Sequence, residues 1–139
     1  MAYFKARVGS SGGSETPTLL WTNDNPSAAV TGNWPDINIA GLSNYKAFMF
    51  EFRKIYNDST VDYFWADSSD LQNKNILLSQ FYNERYWAVR PMYIDYTNSK
   101  INSSIWPTLY DSVQATIQNG GAYTIPTRIW GYKNTIINI

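Results

Sequence analysis

The sequence of 139 residues contains neither histidine nor cysteine. Without histidine there is no Ser-His-Asp triad, no imidazole metal ligand and no use of the commonest general base. Without cysteine there is no disulfide, no thiol nucleophile and no cysteine zinc site. We therefore expect no cofactor and no metal site, and a protein that binds or assembles instead of catalysing a reaction.

Charged residues and long apolar runs are also scarce. Asp, Glu, Lys and Arg make up 16% of the chain, eleven basic against eleven acidic, where ~25% is usual. No basic cluster exceeds the pair Arg53–Lys54, and nucleic-acid binding needs a concentrated positive patch, so we expect no nucleic-acid partner. No stretch approaches the ~18 apolar residues of a membrane span. The first residues, MAYFKARVGSSGG, lack a signal-peptide core, so we expect no membrane insertion and synthesis in a cytoplasm.

Aromatic residues are abundant instead, at 17% of the chain. Such residues suit a half-buried pleated sheet or an adhesive surface. Residues 9–17, GSSGGSETP, read as a flexible linker. We accordingly predict an N-terminal arm and linker over 1–17 and a single β-sandwich domain over 18–139. The arm is interpreted as a disordered terminus, with docking on a partner or neighbouring subunit as the alternative.

From residue 18 onward the apolar residues recur with a period of two. Phe48, Phe50 and Phe52 alternate with other residues, which predicts a long antiparallel strand that buries them. In RYWAVRPMYI we assign Trp87 and Val89 to the core, and Pro91 indicates an edge or a bulge. Further strands are predicted at TLLWT, INIA, TVDYFWAD, ILLSQFY, INSSIW and YTIPTRIWGYK.

One segment, residues 109–121, fits two interpretations. Its apolar residues recur at helical spacing, and Gly120 suits a helix C-cap, but they also alternate as in a strand. We favour a strand because the segment is rich in β-branched residues, and one short helix near 109–119 remains the alternative. The predicted fold class is all-β, an antiparallel β-sandwich or jelly roll.

Candidate binding residues follow from the chemistry of sugars, whose rings stack on aromatic faces while nearby polar groups bond the hydroxyls. Loops often carry such sites on a rigid scaffold. The tentative saccharide-binding residues are Trp34, Asp36, Trp65, Tyr93, Tyr96, Trp106, Tyr110 and Asp111. Trp106 and Trp34 rank first, although packing is the commoner role of any single aromatic. Trp21, Trp87 and Trp130 lie within strand patterns and are assigned to the core.

Pairs of carboxylates are the catalytic groups of glycosidases. Glu51 and Glu84 are the candidates, but an ion pair with Arg53, two residues along the same strand, explains Glu51 without any chemistry. The acidic run DSSD at 67–70 is a weak calcium candidate, because no EF-hand pattern surrounds it.

Three segments occur in a suggestive order: TPTLLWTNDNPSAAV, LSNYKAFMFEFR and IPTRIWGYK. This order resembles small tail-associated or fibre-head proteins of bacteriophages and prophages of Gram-positive bacteria, over about residues 16–133. The resemblance implies a β-rich module at the tail tip or baseplate, often trimeric, that contacts host-surface saccharide and carries no catalytic residues. Many related chains have a cysteine before the closing strand, where this chain has Ala122, Tyr123 and Thr124.

From this resemblance we expect a homotrimeric accessory protein, located at the virion tail tip after assembly in the host cytoplasm. Its partners would be other tail or baseplate proteins and host cell-wall polysaccharide, with multivalency raising the avidity by roughly 10²–10⁴. The terminal KNTIINI, with Ile136, Ile137 and Ile139, is expected to form a last strand or to pack on a neighbouring subunit. A purely structural assembly protein and a carboxylate-only glycan hydrolase remain as alternatives.

Overall fold

The structure, a computed structural model, describes residues 16–67 and 75–134. Their regular elements are ten strands and one short 3₁₀ turn, Leu42–Asn44. The strands are β1 Thr18–Thr22, β2 Ile37–Asn38, β3 Ala47–Ile55, β4 Val61–Asp67, β5 Asn75–Phe81, β6 Tyr86–Asp95, β7 Lys100–Asn102, β8 Thr108–Asp111, β9 Thr116–Asn119 and β10 Tyr123–Tyr132. The chain is all-β, as predicted. Nearly all of the predicted N-terminal arm, most of the acidic run at 67–70 and the terminal isoleucines lie outside the described residues.

The strands form two antiparallel sheets with the main core between them. The four-stranded sheet has the order β1-β10-β3-β4, and the six-stranded sheet has the order β2-β7-β6-β8-β9 with β5 on the other side of β6. Phe48, Phe50 and Phe52 of β3 are almost completely buried, which confirms the prediction for this strand. The six-stranded sheet contributes Ile76, Leu78, Met92, Ile94 and Ile101 to the same cluster. Burial of each such side chain stabilises the fold by about 1.5–3 kcal/mol.

The facing of β6 differs from the prediction. Ala88, Arg90 and Met92 are buried, whereas Trp87 is exposed and Val89 is half-buried. Both faces of this strand carry apolar residues, so alternation alone does not say which face is inside. An inward Trp87 and Val89 would place Arg90 outside, but Arg90 is fully buried.

Pro91 occupies a break on one side of β6. The segment before it, Tyr86–Val89, pairs with β8, and the segment after it, Tyr93–Asp95, pairs with β7. Residues 90–92 have no register partner on that side among the described residues. A proline is tolerated at such an edge-like position because it has no N–H to contribute to the ladder.

Residues 108–119 form a hairpin, which confirms the strand interpretation and makes the helix alternative wrong. The carboxylate of Asp111 accepts hydrogen bonds from the N–H groups of Val113 (3.0 Å) and Gln114 (3.2 Å). Ala115 then adopts a positive φ of 53°, which a helix excludes. The aspartate thus directs the chain into a turn after four strand residues.

Arg90 is fully buried at the centre of the molecule. Its guanidinium donates to four backbone carbonyls: Thr124 (2.8 Å), Tyr123 (3.0 Å), Gly121 (3.1 Å) and Val30 (3.2 Å). No carboxylate of residues 16–67 or 75–134 pairs with it. Burial lowers the pKa of Arg90 to about 10, so the group stays cationic at neutral pH, and its surroundings are neutral carbonyls and the ring of Trp34.

The carbonyls that Arg90 binds belong to two segments that approach each other closely. The N–H of Val30 donates to the carbonyl of Gly121 (2.9 Å), and a Cβ on Gly121 would lie 2.4 Å from Cα of Thr31. Thr124 has a φ of 49°, which is strained for a β-branched residue. Arg90 therefore holds together a crowded and strained junction.

We predict that Arg90→Met destabilises the fold by about 2–4 kcal/mol, because four backbone carbonyls each lose a charged donor at once. Chemical denaturation followed by tryptophan fluorescence measures the change. Lys46→Met, at an exposed position, is the control and should stay within about 0.5 kcal/mol of the parent. Equal stability of the two variants would contradict the role given to Arg90.

Candidate functional site

The structure does not bring the eight predicted saccharide residues into one site. Trp34, one of the two first candidates, is buried. Its ring packs edge-on against Trp21 at 6.3 Å and lies 5.1 Å from the guanidinium carbon of Arg90. Trp34 therefore serves the core, as does its half-buried neighbour Trp21, and the turn-like sequence around Trp34 was misleading.

Two further candidates form structural hydrogen bonds, and a third lies within a strand. The hydroxyl of Tyr96 donates to the carbonyl of Tyr45 (3.0 Å), and its ring lies 6.4 Å from Phe48. The carboxylate of Asp36 accepts from Asn102 (2.6 Å) and Lys100 (3.3 Å), and these bonds lower its pKa. Tyr93 is half-buried in β6.

The remaining candidates are divided between the two sheets. Asp111 is buried and forms a bidentate ion pair with Arg85 (2.7 and 2.8 Å), and the hydrogen bond from Arg85 is the main cause that lowers the pKa of Asp111 to about 2. Trp106 and Tyr110 are exposed near β8 of the six-stranded sheet. Trp65 lies on the four-stranded sheet, with its ring 5.1 Å from that of Tyr132.

A cleft of about 500 Å³ lies on the outer face of the four-stranded sheet. We call it the polar cleft. Its lining is Thr22, Asn23, Pro26, Glu51, Arg53, Ser59, Val61, Tyr63, Thr127 and Arg128. Its volume falls within the range of small-molecule sites, which is roughly 300–1,000 Å³.

A hydrogen-bonded network across three strands forms the floor of the cleft. The buried carboxylate of Glu51 accepts two bonds from Arg128 (2.8 and 2.9 Å), one from the Thr127 hydroxyl (2.8 Å) and one from the Tyr63 hydroxyl (3.1 Å). Arg128 and Tyr63 are its register partners on β10 and β4. The predicted ion pair of Glu51 with Arg53 was wrong, because the cross-strand arginine lies directly opposite.

These contacts set the charge state of the floor. Burial acts to raise the pKa of Glu51, but the hydrogen bonds from Arg128, Thr127 and Tyr63 outweigh it, and the pKa lies below its ordinary value. Burial, together with the bond to Glu51, raises the pKa of Tyr63. At neutral pH the carboxylate is therefore ionised and its charge is compensated by Arg128.

Arg53 faces the cleft and presents hydrogen-bond donors to it. Its Nη1 donates to the carbonyl of Tyr56 (3.1 Å) and more weakly to the hydroxyl of Ser27 (3.5 Å). Neither Nε nor Nη2 has a hydrogen-bond partner among the described residues. The hydroxyls of Thr22 and Ser59, both exposed, line the same cleft. The cleft thus offers charged and neutral hydrogen-bonding groups to a ligand.

An apolar row borders the network. Leu19, Trp130, Met49 and Trp65 are register partners across all four strands. The guanidinium carbon of Arg128 lies 4.9 Å from the centre of the Trp130 ring. The prediction of a core position for Trp130 was wrong, because Trp130 is half-buried on this outer face. Its position places an aromatic surface next to polar groups, which is the combination that sugar binding requires.

The two candidate catalytic carboxylates lie in different parts of the fold. Glu51 faces outward on β3 of the four-stranded sheet, and Glu84 lies in the turn between β5 and β6 of the other sheet. The described residues contain no group of three or more acidic side chains that could hold a metal ion. Within the same residues, no helix has the length and apolar character needed to cross a membrane.

Comparison of the chain with protein-family models, with curated proteins and with solved structures found no match. The geometry of the polar cleft therefore carries the functional proposal. Most of the cleft residues escaped the sequence analysis, because the partners of Glu51 depend on strand register. The sequence pattern that could have predicted the cleft is the strand alternation, which places Glu51, Arg53 and Tyr63 on outward faces.

We predict that Glu51→Gln makes thermal stability less dependent on pH. The pKa of Glu51 is lowered in the folded state, so its stabilising effect is complete above its ordinary pKa of 4.5 and is lost as the pH falls through the lower folded value. The difference in Tm between parent and variant should be largest at neutral pH and should narrow in acid. Scanning calorimetry across this pH range measures it.

Arg128→Gln provides the matched test, because it removes the strongest partner of the same carboxylate while leaving the carboxylate in place. Without Arg128 the folded pKa of Glu51 lies closer to or above its ordinary value, so the Tm should fall less between neutral and acid pH than in the parent protein. If both variants follow the parent profile, the ion pair has no energetic role.

Proposed function

We propose that this protein is a non-catalytic saccharide-binding module and that the polar cleft is its ligand site. The observation that carries the proposal is the convergence of Arg53, Thr22 and Ser59 in one concavity beside the Trp130 row. Hydroxyl groups of a sugar would bond to the polar side chains while a ring face packs on the exposed part of the indole. This location replaces the loop aromatics that the sequence favoured.

The state of Glu51 favours binding over catalysis. A general acid in a glycosidase needs a raised pKa and a second carboxylate within about 5–10 Å. The pKa of Glu51 is lowered, and its oxygens are already bound by three neighbours. Within this proposal, Glu51 acts as a positioning residue that fixes the guanidinium of Arg128 at the cleft wall.

The biological setting that we propose is a bacteriophage tail or baseplate, where the module would recognise the polysaccharide of a host envelope. The resemblance of the three segments, with their order along the chain, supports this setting. The same resemblance implies a homotrimer that is located at the virion tail tip and contacts other tail proteins. Weak sites on several copies would then bind together with increased avidity.

The test is binding of the purified chain to an array of neutral and acidic cell-surface polysaccharides, followed by titration of the strongest ligand. Arg53→Gln and Trp130→Ala should each weaken binding about tenfold or more, because each removes a contact worth about 1.4 kcal/mol or above. Tm values close to that of the parent would show that the variants are folded.

Trp106→Ala is the control, since Trp106 is 63% exposed and does not line the polar cleft. Its affinity should equal that of the parent. Loss of binding in this variant, with Arg53→Gln unaffected, would move the site to the loop before β8. Absence of binding to every polysaccharide tested would contradict the proposed function.

A purely structural assembly role is the second candidate function. The observation that favours it is the exposure of large apolar side chains on the six-stranded sheet, away from the polar cleft. An assembly role and a saccharide site are compatible, because the two surfaces lie on opposite sides of the sandwich.

A further inference from the structure

The outer face of the six-stranded sheet carries a row of four large side chains, one from each of four neighbouring strands. They are Phe81, Trp87, Tyr110 and Ile117, and each is the register partner of the next. We call them the aromatic row. Their exposed fractions are 69%, 43%, 39% and 73%, in that order. At about 4.8 Å between strands, the row is roughly 14 Å wide.

Members of the row pack on one another and line a common hollow. The rings of Phe81 and Trp87 are stacked, with centres 5.9 Å apart and planes inclined by 24°. Trp87, Tyr110 and Ile117 also line a shallow hollow of about 290 Å³ together with Val89 and Thr108. Side chains that already pack on one another lose less conformational entropy when the surface is covered than isolated side chains do.

The surface has no charge of its own. The next row across the same strands is Ser79, Val89, Thr108 and Asn119, and neither row contains a charged residue. A polyanion or an anionic membrane surface would find no counter-charge here. Charge repulsion does not oppose docking of a second copy of the chain, because the face is uncharged and the chain has eleven basic and eleven acidic residues.

The exposed area matches what a stable dimer needs. Leu77 on β5 adds a further side chain that is 52% exposed. At ~150–250 Å² for a large side chain, these five residues expose roughly 500 Å² of mostly apolar surface. An interface of about 800 Å² per partner is about 60% apolar. The five residues therefore supply the apolar content of one side of such an interface.

In place of the homotrimer that the resemblance implies, we propose that the aromatic row is the contact face of a homodimer, in which the second copy lies on it about a two-fold axis. An axis between Trp87 and Tyr110 reverses the order of the row in the partner. Trp87 then faces the partner subunit's Tyr110, and Phe81 faces the partner subunit's Ile117. The side chains that face each other have similar exposed fractions, 43% with 39% and 69% with 73%. Such matching is the self-complementarity that an isologous interface requires.

This arrangement leaves the polar cleft open in both copies, because the cleft lies on the outer face of the other sheet. The dimer does not depend on the proposed saccharide function. Saccharide binding and dimerisation are measured separately, so failure of one is distinguishable from failure of the other.

The test is the molar mass of the chain in solution, by sedimentation equilibrium over a micromolar concentration series. The parent should be a dimer. Ile117→Lys and Phe81→Lys should each weaken dimerisation about a hundredfold or more, because each would place two unpaired ammonium groups in the interface. Both positions are highly exposed in the single chain, so the variants should keep the parent's circular dichroism spectrum.

Thr18→Lys is the control, because it adds the same charge at an exposed position on the four-stranded sheet. It should remain a dimer. A monomeric parent would overturn the proposal, and so would a trimer or a dimer whose mass is unaffected by both lysine variants.

Discussion

The architecture depends on one buried cation. Arg90 projects from β6 into the core and binds the carbonyls of two segments that are distant in sequence, residues 121–124 and Val30. A guanidinium in this position is costly unless several acceptors surround it. Its four carbonyl bonds and the nearby indole of Trp34 provide them. The loop after β1, the entry to β10 and the facing of β6 are therefore fixed together.

One outer face of the sandwich is apolar and the other is polar, because of the way β6 and β3 face the core. With Arg90 and Met92 inside, Trp87 must point to solvent, and its register partners make the outer face of the six-stranded sheet apolar. On the other sheet the three phenylalanines of β3 face the core, so Glu51 and Arg53 face outward and form the polar cleft. One surface suits hydrogen bonding to a small polar ligand, and the other suits burial against another protein surface.

Strand alternation predicted the fold where only one face of a strand was apolar. In β3 the phenylalanines alternate with polar or smaller residues, and the prediction was confirmed. In β6 both faces carry large apolar side chains, and the prediction was wrong. The hairpin at 108–119 was predicted as strand, although the carboxylate of Asp111 that terminates β8 was interpreted as a sugar ligand. The local sequence around an aspartate is the same whether its carboxylate forms a turn or binds a ligand, so the sequence does not distinguish the two roles.

The sequence by itself determined the all-β class, the strand-rich organisation from residue 18 onward and the absence of histidine and cysteine chemistry, because these follow from composition and from contacts between near neighbours. Only the tertiary structure decided which aromatics are buried and which groups meet. Glu51 and Arg128 are 77 residues apart, and the aromatic row combines residues of four strands. Such contacts depend on register and on sheet packing, which are set by the free energy of the whole core and not by any single segment.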